Sequence, residues 1–162
     1  MTAAIDIIKD EHHSIAAVLK ALESHVAQAR DGRTAADTHL AAAMLDYLQA
    51  YPERLHHPKE DEYLFRFLRR RCTDVNAVLE EPEAQHTRGA ELLSELRRTL
   101  EVSRAAGNFN AFDPVLAAYA EFQWQHMRIE EEVVLPLAER HLTPEDWQAI
   151  DAAFAANRER CW

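Results

Sequence analysis

The chain is poor in the residues that bend, staple or flatten a fold. Glycine occurs three times and cysteine twice in 162 residues. Scarce glycine, few β-branched side chains and abundant Ala, Leu, Glu and Arg disfavour strands and tight turns and favour helices. Cys72 and Cys161 lie far apart and form no CxxC pair, so neither a disulfide framework nor a thiolate metal site is indicated. No apolar run approaches the roughly eighteen residues that a membrane span needs, and no charged n-region with an apolar core opens the chain. A soluble, cytoplasmic protein is the expectation. Positive charge is also short, with 18 Lys and Arg against 28 Asp and Glu and a formal net charge of −10, which argues against nucleic acid or an anionic membrane as partner. The sequence has no HExxH, GxSxG, phosphate-binding glycine loop or dinucleotide fingerprint, so hydrolase, kinase and dinucleotide-dependent routes lack support.

What is present reads as one all-α domain over residues 1–162, long enough to bury roughly 70% of its unfolded surface around one core. Ile5, Ile8, Ile15, Val18, Leu19, Leu22 and Val26 recur at three- and four-residue steps over residues 3–29, and Asp31-Gly32 ends that helix. A second helix starts near residues 34–37 and runs through Met44, Leu45 and Leu48 toward Leu68, interrupted by Pro52 and Pro58. An interior proline removes one backbone bond and clashes with the carbonyl four residues back, so a kink or bulge is expected there. Residues 74–81 read as a connection or a short helical turn, Pro82 as the first turn of a third helix ending at Gly107-Asn108, and Asp113-Pro114 as the N-cap and first turn of a fourth. Thr143-Pro144 starts a short fifth helix carrying Trp147, Ile150 and Phe154 on one side. Short connections make this an up-down-up-down four-helix bundle over about 3–141, with the C-terminal helix over about 144–159 packed against it.

The chemistry lies in the histidines. His56-His57-Pro58-Lys59-Glu60 places His56 four residues and His57 three residues before Glu60, so all three share one helical face. His126 and Glu130 repeat the four-residue spacing on the fourth helix. His12 lies on the apolar stripe of the first helix, whereas His13 turns toward Lys9, Ala16 and Lys20, and His86 lies on the stripe of the third. In antiparallel neighbours these four positions fall at the same end of the bundle. The candidate shell is His12, His56, His57, Glu60, His86, His126 and Glu130. Seven ligands are too many for one ion. Two six-coordinate ions accept five imidazoles, two bridging carboxylates and a shared oxo or hydroxo group, and one position stays open for a small diatomic or a peroxide. Mixed imidazole and carboxylate ligation suits two iron ions, ahead of manganese or zinc.

Glu11-His12, His56-His57-x-x-Glu60, Gln85-His86 and His126-x-x-x-Glu130-Glu131 together resemble the hemerythrin-like, or HHE cation-binding, family of four-helix bundles, over about residues 5–140. The resemblance implies a non-haem di-iron centre, with Glu60 and Glu130 as bridging carboxylates and the five histidines as terminal ligands. Where some relatives, including a eukaryotic iron-sensing F-box protein, carry a carboxylate beside the first helix-two histidine, this chain has His57. The two-histidine pattern of the invertebrate oxygen carriers on helix three is missing, so reversible oxygen transport is not carried over.

Other polar residues have plainer readings. His25, His39 and His141 suit the surface or helix ends, and Arg66 with Arg69-Arg70-Arg71 suits a solvated helix end. Asp61, Glu62, Glu131 and Glu132 adjoin the motifs as supporting or surface groups, while Tyr63, Tyr119 and Gln123 lie on or near the inner stripes. Three functions start from such a centre: binding or sensing of O2 or NO, enzymatic reduction of peroxide, O2 or NO, and iron sensing or storage. The first is favoured, because the coordination chemistry is present while no separate acid–base or substrate pocket can be read; the residues leave open whether the protein is an enzyme.

Overall fold

The computed structural model describes residues 2–159, which form five helices; Cys161 lies outside the described residues, and Cys72 is a free thiol. Helix α1 (Ala3–Arg30) buries the expected stripe, including Ile5, Ile8, Ile15, Leu19, Leu22 and Val26. Its end is a Schellman turn: Arg33 N–H reaches Gln28 O at 2.9 Å and Gly32 N–H reaches Ala29 O at 3.1 Å. Gly32 has φ +73°, the left-handed conformation that this turn requires and that glycine adopts without strain. No helix among the described residues is long and apolar enough to cross a membrane.

Helix α2 spans residues 38–71, capped by Asp37, whose carboxylate accepts from Leu40 N–H at 3.0 Å. It is α-helical at Thr38–Leu48, widens to π-helix at Gln49–His56, returns to α at His57–Lys59, widens again at Glu60–Phe65 and closes with α-helical Arg66–Arg71. The expected distortion is therefore two wide turns within a continuous helix. His57 N–H bonds to the Pro52 carbonyl five residues back, and Pro58 follows immediately. The wide turn moves aside the carbonyl that a proline ring would strike. It also reduces the rotation between successive side chains, which helps His56 and His57 both project inward, at 0% and 4% exposure.

Helix α3 (Asn76–Ala106) begins six residues before the expected start at Pro82, after a 3-10 turn at Thr73–Val75. Residues 74–81 are thus mostly helix, with Pro82 in its interior. Val75 and Leu79 are buried there, and burying two such side chains contributes about 3–6 kcal/mol, enough to offset the roughly 3 kcal/mol of an interior proline. Helix α4 covers residues 112–141, as α-helical Phe112–Ile129, a π segment at Glu130–Val134 and α-helical Leu135–His141. Leu135 N–H bonds to Glu130 O five residues back, again just ahead of a proline, Pro136. Asp113 is not the N-cap: the cap lies two residues earlier, at Ala111, with Phe112 fully buried in the first turn, and Asp113 instead receives Arg30 Nη1 at 2.8 Å. Helix α5 (Pro144–Glu159) opens with a reciprocal cap, Asp146 N–H to Thr143 Oγ1 at 3.2 Å and Thr143 N–H to Asp146 Oδ2 at 3.0 Å.

The core has two apolar layers. One is built from Ile15, Leu19, Leu22, Leu45, Leu48, Leu96, Phe112 and Tyr119 and their neighbours. The other joins Ile5, Ile8, Phe65, Leu68, Leu79, Val134, Ile150 and Phe154 near the end where α5 docks. The buried histidines and glutamates lie in chain order between the two. Arg69 forks onto Glu83 at 2.5 and 2.6 Å, and Arg71 onto Asp146 at 2.7 and 2.9 Å, so two of the arginines at the end of α2 tie it to α3 and α5. Phe154 stands edge-on to His56 with ring centroids 6.1 Å apart, which puts α5 directly behind the polar layer. Phe154→Ala is expected to cost about 3–5 kcal/mol and Thr143→Ala about 1 kcal/mol in urea unfolding, the first through a cavity and the second through the lost cap; similar losses for both would contradict this packing.

Candidate metal centre

All seven candidate residues are buried and meet in one layer. Helix α1 supplies His12, α2 supplies His56, His57 and Glu60, α3 supplies His86, and α4 supplies His126 and Glu130. They divide into two sets whose ligand atoms lie within 4.8 Å of one another: His12, His56, Glu60 and Glu130, and His57, Glu60, His86 and His126. Both carboxylates straddle the division. Glu60 Oε1 is 3.1 Å from His56 Nε2, while its Oε2 is 3.3 Å from His86 Nε2. Glu130 Oε2 is 3.2 Å from His12 Nε2, while its Oε1 is 3.2 Å from His126 Nε2 and 3.3 Å from His86 Nε2. His57 faces inward, stacked on His86 with centroids 4.3 Å apart and edge-on to His126 at 5.1 Å.

The other ring nitrogens decide the tautomers. His12 Nδ1 donates to Glu131 at 2.8 Å, His86 Nδ1 to Asp61 at 2.8 Å, His126 Nδ1 to Gln85 Oε1 at 2.9 Å, and His56 Nδ1 to Glu11. With the proton on Nδ1, a neutral ring presents its Nε2 lone pair to the shared carboxylates. Lone pair then faces lone pair, which is repulsive unless a cation lies between. Both oxygens of Glu60, Oε2 of Glu130 and Nε2 of His126 are buried without a hydrogen-bond partner. Each such atom would cost about 1–3 kcal/mol if left unsatisfied, so this donor set fits a pair of metal ions far better than a bare polar core.

Sequence reasoning placed Asp61 and Glu131 beside the motifs, and both support a histidine; Glu62 and Glu132 are exposed. It assigned the Glu11 carboxylate no role, and gave α5 only that of packing against the bundle. Glu11 is 4% exposed, receives Tyr51 Oη at 2.9 Å and Asn157 Nδ2 at 3.0 Å on Oε1, and takes His56 Nδ1 on Oε2. Asn157 thus carries α5 into the network behind His56. The Glu11-His12 pair was the available signal, but only the fold reveals that Glu11 serves a histidine of another helix. His13, His39 and His141 are exposed, and His25 is half-buried with Nε2 accepting from Asp37 N–H at 3.2 Å. Tyr63 packs against Phe67, whereas Tyr119 and Gln123 are buried, about two turns and about one turn below His126 on α4 respectively.

The electrostatics of the metal-free layer follow from burial against charge. Burial pulls the His56 imidazole down, but the carboxylates of Glu60 and Glu11 outweigh it and hold it at about 10. His12 and His86 are likewise raised, by Glu130 and Glu131 and by Asp61, Glu130 and Glu60 respectively, against their burial. His126 falls to about 3 through burial and the neighbouring His86 and His57, and His57 is lowered chiefly by burial. Glu60 and Glu130 stay ionised despite burial because the histidines stabilise their charge. Protons on His12, His56 and His86 therefore stand in for cations when none is bound. The His56 contribution to stability is full below its ordinary value of 6.5 and is lost as pH rises through about 10. Because these protons compete with metal, loading Zn2+ or Fe2+ at neutral pH is expected to release protons, and apparent affinity should increase as pH rises from 6.5 toward 10. An indicator-dye titration that shows no proton release would contradict this.

A family model described as the hemerythrin HHE cation binding domain matches residues 3–138. No curated protein and no solved structure matches the chain significantly. The match covers α1 to α4 and contains every residue of the two ligand sets, so the chain belongs to the hemerythrin HHE cation-binding family.

Proposed function

We propose that the protein is a non-haem di-iron protein that binds O2 or NO at one open coordination position, in oxygen or redox sensing or buffering. The observation that carries this reading is the unequal division of five imidazoles over two glutamates. His57, His86 and His126 with two bridging carboxylates and a shared oxo or hydroxo group would complete six positions on one ion; His12 and His56 would leave the other with five. Six carboxylates, Glu11, Glu53, Glu60, Asp61, Glu130 and Glu131, touch these residues, a negative surround suited to a pair of multivalent cations. When bound, a ferrous pair supplies electrons and an open position to a small ligand.

The chain's own residues define how such a ligand arrives. His12 borders a surface cavity of about 380 Å³ between α1 and α4, lined by His13, Ala16, Trp124, Met127, Arg128, Glu131 and Glu132. A diatomic passing inward from it would meet the two-histidine ion first. Trp124, Met127 and Ala16 make one wall apolar, which suits O2 and NO. Glu131 fixes the His12 ring from the rim of the same cavity, so ligand access and ring position are coupled there.

Metal analysis with absorption spectra of the anaerobically reduced protein, before and after air or NO, tests this. Two irons per chain and a spectrum that reverses on removing the gas are expected. Multiple turnovers with peroxide or NO and a reductant would instead support an enzyme, and loss of the chain from iron-starved cells would support iron handling. Glu60→Ala or His126→Ala should abolish iron loading; two irons per chain in either variant would contradict the ligand assignment.

A further inference from the structure

A chain of contacts leads from the half-exposed face of α2 to the two-imidazole set without passing through the cavity at His12. Tyr47 and Tyr51, four residues apart and both half-buried, stack nearly parallel, with ring centroids 5.6 Å apart and an interplanar angle of 7°. The Tyr51 hydroxyl donates to Glu11 Oε1 at 2.9 Å, and Glu11 Oε2 accepts from His56 Nδ1. His56 Nε2 faces Glu60 Oε1 within the set of His12, His56, Glu60 and Glu130. Every link from phenol to ligand is therefore a ring contact, a hydrogen bond or the bonds of one side chain.

A phenol is readily oxidised by one electron when its proton can leave at the same time, and that requires a base on the hydroxyl. Glu11 supplies one to Tyr51: a buried carboxylate that accepts from Tyr51, Asn157 and His56. Tyr119 lies instead beside Gln123, whose amide takes up no proton. We propose that Tyr47, Tyr51 and Glu11 form a redox path that supplies electrons to the centre when hydrogen peroxide attacks it, so that the tyrosines are oxidised in place of the histidines. The proposal rests on the di-iron reading. Its step balances with the irons ferric before and after: H2O2 and two tyrosines give two tyrosyl radicals and two waters. The O–O bond breaks and takes two electrons. Tyr51 passes an electron inward and its proton to Glu11; Tyr47 refills Tyr51 across the stacked rings and releases its proton to solvent, and Tyr51 then gives the second electron. The two phenol protons balance the two taken up as the oxygens leave as water. An external one-electron donor of the ascorbate class returns each radical to phenol with one electron and one proton. Without the path, Trp124 and Met127 in the wall of the cavity beside His12 are the nearby oxidisable side chains.

The iron-loaded ferric protein, its metal content measured, is mixed with excess hydrogen peroxide and freeze-quenched for EPR, with peptide mass mapping of the oxidised residues. The wild-type protein is expected to show a tyrosyl radical and intact ligand histidines. Tyr51→Phe keeps the stacked ring but loses the hydroxyl; the radical signal should disappear and oxidation should move to Trp124, Met127 or the ligands. Tyr47→Phe should keep a radical at Tyr51 that ascorbate quenches more slowly than in the wild type. Asn157→Leu removes a hydrogen bond to the same Glu11 oxygen without removing a redox group, and should keep the wild-type signal. Loss of the signal in Asn157→Leu as well as in Tyr51→Phe would assign Tyr51 a structural role and overturn the path, as would a tyrosyl radical that survives in Tyr51→Phe. Iron-loaded wild-type protein that gives no radical defeats the path and leaves the di-iron reading standing; failure to load iron defeats both.

Discussion

Two ionised glutamates at the centre of an apolar bundle are the constraint on which the rest of the structure depends. Glu60 and Glu130 are at most 1% exposed, and an isolated carboxylate in such a place is penalised by several kcal/mol or loses its charge. Five imidazoles surround them, four of them positioned by a hydrogen-bond partner on Nδ1. Acidic partners hold His12, His56 and His86 from behind, at Glu131, Glu11 and Asp61, and an amide holds His126. The arrangement concentrates negative charge where a helical core has none to spare, and only cations at the midpoint reconcile it with a folded bundle. Protons fill that role in part when metal is absent, which is why the acidic neighbours raise three of the rings and burial depresses the other two.

The irregularities of the helices follow from the same constraint. The π segments of α2 and α4 flank or begin at the buried histidines and glutamates, with one starting at Glu60 and one at Glu130. A regular α-helix separates consecutive side chains by about 100° and could not comfortably aim both His56 and His57 at one layer. Widened turns bring them together, and Pro58 and Pro136 follow π segments that accommodate their rings. Helix α5 completes the layer from behind: Asp151 accepts the Ala4 N–H at 2.7 Å, Ala153 O receives Lys59 Nζ at 2.6 Å, and Asn157 reaches Glu11. It therefore supports the centre as well as covering the apolar end.

The two faces of the centre differ in character. The face at His12 opens to a partly apolar cavity beside the set with two imidazoles, and the face at His57 adjoins Glu53 and Gln123 where they approach Gly89. Gly89, a residue unfavourable to helix formation, sits where a β-carbon would press on Glu53 and Gln123.

The helical class, the four-helix plan, the fifth helix and the inward-facing histidines were legible in the sequence, because hydrophobic periodicity and four-residue spacing are local properties of a helix. The start of α3 was not, since the burial of Val75 and Leu79 against distant helices overrode the stop signal of Pro82, and Asp113 lost its capping place to the burial of Phe112. His12, His56, His57, Glu60, His86, His126 and Glu130 could be chosen from spacing, the apolar stripes and the antiparallel order of the helices. That His56 and His57 serve different sets was legible too, but the full division into sets of two and three imidazoles was not, nor was the pairing of Glu11 with His56. These depend on the phase of one helix against another and on wide turns that no spacing rule encodes. The sequence by itself determined which side chains point inward, because that is set by the repeat of a single helix; only the tertiary structure decided which of them meet, because that is set by how five helices pack.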